Sequence, residues 1–168
     1  MPREIVIRSV CGMSAANFWS LRSDTGFDDW FCKQDKQIFD LVKNTPFVGA
    51  NGASSIDRVF HMYMQEEHVP KAIRAMLPAA NKFFVKVIAQ FSTHLFDEKH
   101  PYTYTAIYPI FTERIHVHGR QWAEPLSDKS CRLHARIQVK VDIALVGGAV
   151  ERWIEQLVRS TYDVLPAR

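Results

Sequence analysis

Residues 132–143 alternate without a break. Leu133, Ala135, Ile137, Val139, Val141 and Ile143 are apolar, and Arg132, His134, Arg136, Gln138, Lys140 and Asp142 between them are polar. Successive side chains of a strand point to opposite faces, so this pattern is a long strand with one buried and one solvated face. Just beyond it the period changes. After Gly147-Gly148, residues Val150, Trp153, Ile154, Leu157, Val158, Thr161 and Leu165 share one stripe, opposite Glu151, Arg152, Glu155, Arg159 and Asp163. That spacing of 3.6 predicts an amphipathic helix of about five turns, ended by Pro166. A half-buried strand and a helix with one apolar stripe must cover each other, which points to an α+β fold.

The rest of the chain fits this plan. Residues 3–10 are β-branched and predict a strand; Gly12 and Ser14, a suitable N-cap, then introduce a short helix carrying Ala15, Phe18, Trp19 and Leu21. A second short helix is expected across Asp28–Lys36, with Trp30 and Phe31 on its apolar side. Strands follow: 37–43, then a turn-rich Asn44–Gly52, then 55–65 with Ile56, Phe60, Met62 and Met64 on one parity. Residues 66–79 predict a short helical excursion, with Met76 and Leu77 between Pro70 and Pro78. Alternation resumes over 82–92, 102–110 and 115–120. No repeat or linker interrupts the series, so residues 1–168 are expected to form one domain with a curved, mostly antiparallel sheet around the terminal helix.

Composition narrows the function classes. With 47% hydrophobic and 23% charged residues, the chain is neither disordered nor membrane-spanning in character. A net charge of +3, spread along the chain, gives no phosphate-tracking stripe, so no nucleic-acid partner is expected. Cys11, Cys32 and Cys131 form no metal-like or disulfide-like spacing, and no apolar leader opens the sequence; both suggest a reducing, cytoplasmic setting. Eleven Phe, five Tyr and four Trp are many rings for a small core, and either dense packing or a lined cavity would use them.

Three segments carry a family resemblance: EIVIRSVCGMSAANFWSLRSD at the start, the W-x-E-P stretch at Trp122–Pro125 leading into CRLHARIQVKVDI, and LVGGAVERWIEQLVRSTYDVLP at the end. Together they resemble the helix-grip fold of the START-like and Bet v 1-like (SRPBCC) superfamily, and the resemblance covers almost the whole chain. It implies a cavity between sheet and terminal helix that takes an apolar small molecule such as a lipid, sterol or pigment. By parity the walls would be Phe60, Met62, Val87, Tyr104, Tyr108, Ile137, Val139, Trp153 and Leu157. Met76 and Leu77 would form a gate, beside Lys71 and Arg74, which could touch an anionic membrane transiently.

Other constellations are weaker. His116 and His118 share a strand face and His134 could join them at a metal, but cations surround all three, and an exposed sheet face explains them better. No phosphate loop, nucleophile elbow or cofactor motif is present, so neither a cofactor nor a catalytic residue is assigned. Either Asp57 or Arg58 points inward; an inward arginine could meet an anionic headgroup. The expectation is a binder or carrier. The alternatives are a cyclase- or aromatase-like enzyme using Tyr104, Tyr108 or His61, and a ligand-free interaction adaptor of the same fold. The sequence does not fix the oligomeric state.

Overall fold

The computed structural model describes residues 2–24, 26–27, 30, 38–49, 52–63, 69–75, 84–109 and 111–164. Its elements are β1 (Arg3–Cys11), α1 (Ala15–Arg22), β2 (Ile38–Val48), β3 (Ser54–Tyr63), α2 (Lys71–Arg74), β4 (Phe84–Ser92), β5 (Tyr102–Ile107), β6 (Ile115–Ser127), β7 (Ser130–Val141) and α3 (Gly147–Val164). The strands form one antiparallel sheet of seven, in the order β1-β7-β6-β5-β4-β3-β2. The terminal helix α3 packs on β7 and β1.

Local chemistry explains most of the boundaries. Ser14 caps α1 as expected, its Oγ accepting from the Asn17 N–H at 3.2 Å. Of the two short helices expected after β1, α1 is the first; the second, expected over Asp28–Lys36, lies outside the described residues apart from Trp30, which like Gly26 and Phe27 is helical. The turn expected from Asn44 onwards is a correction, because β2 runs on to Val48 and pairs along its length with β3. Pro46 is tolerated there because β2 is an edge strand, where a missing N–H breaks no inner ladder. The turn itself is short and comes later, with Gly52 at φ +78 and its N–H bonded to the Gly49 carbonyl.

Register sets the two faces. One row crosses all seven strands on the α3 side: Ile5, Ile137, Gly119, Tyr104, Ala89, Arg58 and Asn44. A large ring at Tyr104 thus lies between the two smallest residues of the row. A Cβ built on Gly119 would collide with the Tyr104 ring. Glycine at this point of β6 is what lets the phenol lie over the sheet.

The interior divides into two clusters. The first joins the inner faces of the central strands to Val150, Trp153 and Ile154 of α3. The second sits under α1, where Trp19 stacks on Phe96 at 4.3 Å and meets Phe91 edge-on at 5.3 Å. Trp19 Nε1–H also donates to the Ser92 carbonyl at 3.1 Å, tying α1 to the end of β4. Much of the aromatic surplus is therefore spent on packing at this end.

Cys11 and Cys131 are direct cross-strand partners, both buried as free thiols. Burial, and secondarily the neighbouring Cys11 thiol, pushes Cys131 up to about 11. Because the thiolate is the nucleophile, Cys131 should resist iodoacetamide at pH 7.5 in the native protein, Cys11 should be shielded by its burial, and both should react once the chain is unfolded. Peptide mass spectrometry checks this; rapid native labelling of Cys131 would contradict the burial.

Candidate functional site

All nine residues expected from the sequence as cavity walls fall in one hydrophobic cluster between the inner sheet face and α3. Ile137 and Val139 at the centre of β7 are each 0% exposed, and Val87, Tyr108 and Trp153 are also buried. Phe60, Met62, Tyr104 and Leu157 pack against the same cluster but stay half-buried. Phe60 and Tyr104 touch the second cluster as well, so they stand where the aromatic end meets the aliphatic one. Tyr108 lies just past β5, yet it is held inside by Trp153, with ring centroids 6.2 Å apart. Burial alone pushes the Tyr108 phenol well above the ordinary tyrosine range, so it stays protonated at neutral pH. It can donate a hydrogen bond and does not act as a base there.

The two ends of this interior differ. Under α1, the concavity bounded by Phe18, Phe96, Leu133 and Ala135 has a volume of about 10 Å³. That is room for one water at most. Towards α3 the interior is bounded instead by the half-buried Phe60, Met62, Tyr104 and Leu157.

Of Asp57 and Arg58, it is Arg58 that points inward, and it is only 1% exposed. Its Nε donates to Asn44 Oδ1 at 3.1 Å, an amino group donates to the Ser23 carbonyl at 2.9 Å, and the guanidinium lies 4.9 Å from the Phe91 ring centroid. These contacts make Arg58 a structural tie between α1, β2 and β3. Asp57 points outward and pairs with Lys43 at 3.1 Å.

His61 also faces outward, stacked on Phe84 at 4.3 Å, and is not a candidate acid or base for the interior. The three histidines considered for a metal are engaged separately: His116 with the Glu113 carbonyl, His118 with Thr105 Oγ1, and His134 with Glu124. Among the described residues no three potential ligands converge on a metal site. Met76 and Leu77 lie outside the described residues. Sequence reasoning missed Gly119, whose signal was a glycine inside an otherwise alternating strand.

An antiparallel sheet of seven gripping a C-terminal helix, with a short helix after the first strand, is the helix-grip fold of the START-like and Bet v 1-like superfamily. Solved structures bear this out. The chain is similar to an aromatase/cyclase from a Streptomyces species (13% identity, 96% of this chain and 87% of that one, TM-score 0.57). It is also similar to a START superfamily protein from Mycobacterium smegmatis (12%, 98% and 95%, TM-score 0.57) and to truncated norcoclaurine synthase from Thalictrum flavum (17%, 99% and 92%, TM-score 0.54). Identities this low establish the fold alone. By sequence, the chain belongs to the family described as a protein of unknown function (DUF2505), whose family model matches residues 45–165. No curated protein matches it.

Proposed function

We propose that the protein binds, and carries, an apolar small molecule between the sheet and α3. The observation that supports this best is the first cluster: an interior of apolar side chains and the neutral phenol of Tyr108, in which Phe60, Met62, Tyr104 and Leu157 remain half-buried. Such walls favour a ligand with much apolar surface and one polar group, which Tyr108 could meet. Burying roughly 300 Å² of ligand surface at about 25 cal/mol per Å² is worth about 7 kcal/mol before association costs. Helix-grip proteins typically bind hydrophobic ligands, and a norcoclaurine synthase of this fold has been solved with a transition-state analogue. No helix among the described residues is long and apolar enough to cross a membrane.

Entrance to the interior is assigned to the sheet end where β3 passes to β4. There the ends of β5, β6 and β7 bring the loops 108–114 and 142–146 together, the Asp142 N–H bonding to the Arg114 carbonyl. Phe111 and Leu145 on these loops both have positive φ and stay exposed, Leu145 completely. An apolar side chain held outward at a backbone conformation that disfavours it suits an end that meets an apolar surface. Of the segment between β3 and β4, α2 carries the basic Lys71 and Arg74, and Met76 and Leu77 next in sequence are kept as the candidate gate.

Native mass spectrometry of the gently purified protein tests the binder directly. A bound mass released into organic solvent is expected, and a protein that stays empty when offered lipid extract would count against it. Met76→Asp combined with Leu77→Asp should slow transfer of the released ligand between liposomes several-fold while melting unchanged. Turnover of that ligand into a product would favour the aromatase/cyclase-like reading over carriage.

A further inference from the structure

The face of the sheet opposite α3 holds a feature the interior does not explain. Two adjacent outward rows, Glu4–Gln138–His118–Thr105 and Arg136–Arg120–Thr103, bound an open groove of about 560 Å³. Ile88 and Gln90 continue the two rows on β4, and Gly119 and Tyr104 complete the lining. That volume lies within the range of small-molecule sites.

Arg120 and Arg136 are direct cross-strand partners. Like charges directly opposite each other destabilise a sheet, and a groove concentrates their field. Neither makes an ion pair among the described residues; Glu4, the only carboxylate lining the groove, does not reach either one. Arg120 is braced over the Trp122 ring at 5.0 Å, and Trp122 in turn stacks on His134 at 5.1 Å, so the guanidinium is held in place without a counter-charge. His118 is oriented by Thr105, with Oγ1 and Nδ1 at 3.0 Å.

We propose that this groove is a binding site for a phosphate monoester, whose dianionic group sits between Arg120 and Arg136. A phosphate supplies the charge that relieves the arginine pair, and planar guanidinium forks match its oxygens. The Thr103 hydroxyl, one step along the same row, donates to the Gln90 carbonyl at 3.3 Å, so the two guanidinium groups are the phosphate's donors, and the groove leaves room for the ester's organic group. The site is independent of the apolar interior and lies across the sheet from it.

The test is a titration of the full chain with phenyl phosphate, followed by amide NMR, against sodium chloride at equal ionic strength. Vesicles containing phosphatidic acid form a parallel arm, so that a soluble ester and a lipid headgroup are told apart. The expected result is saturable binding in one arm, with shifts centred on residues 103–105, 118–120 and 136–138, weakened about tenfold or more in Arg120→Gln and in Arg136→Gln. Without phosphate, Arg136→Gln should melt no lower than wild type, because it removes a repulsion. Binding in neither arm, shifts reproduced by chloride, affinity unchanged in both variants, or a lower melting point for unliganded Arg136→Gln would each overturn the proposal.

Discussion

Trp153→Ala should cost about 3–5 kcal/mol of stability, the range for deleting a large aromatic from a core. Trp153 is the largest of the buried α3 residues, with Val150 and Ile154, that hold the helix to the sheet. It is 6% exposed, touches Tyr108 at 6.2 Å between centroids, and shares its cluster with Ile137 and Val139. Removing the indole leaves a void that the rigid strands cannot close. For a chain of this length the loss amounts to a fall in Tm of about 10 °C or more. Denaturant melts with unchanged m-values would measure it. A variant as stable as wild type would mean that α3 is not anchored through this ring.

Gly119→Ala adds a single methyl group and should still be costly, about 1–3 kcal/mol or more. The new Cβ collides with the Tyr104 ring, which packs against both interior clusters, so the ring or the β6 backbone must shift. The strain should be specific to the pair. In Gly119→Ala combined with Tyr104→Val the penalty of the alanine should largely vanish, giving a coupling energy well outside additivity. Equal penalties for the alanine with and without Tyr104 would place the strain in the β6 backbone instead.

The central fold was legible because strict parity leaves little choice. Once residues 132–143 alternate and the next segment turns helical, the buried face of β7 and the stripe of α3 are fixed, and parity on β3, β4 and β5 brings Phe60, Met62, Val87 and Tyr104 to the same cluster. Parity failed where neighbours on other strands decide. Trp122 lies on the outward parity of β6 yet is 6% exposed, because Arg120 and His134 cover its ring. Asn44, Pro46 and Gly49 have turn composition, but pairing with β3 carries the strand through the first two, and an edge position excuses the proline. The inward turn of Arg58 depended on the register with β4, and its role as a tie depended on Asn44 and Ser23, far apart in the chain. The groove of Arg120 and Arg136 was invisible for the same reason: each looked like an ordinary solvated residue until the register set them face to face.

The most direct test of an apolar binding interior is a titration of methyl-labelled protein with decanol, a neutral apolar probe. Saturable one-to-one binding is expected, shifting the methyl signals of Val87, Ile137, Val139 and Leu157 and leaving the exposed Leu95 and Leu126 unmoved. Shifts confined to the exposed leucines, or none up to the solubility of the probe, would contradict it.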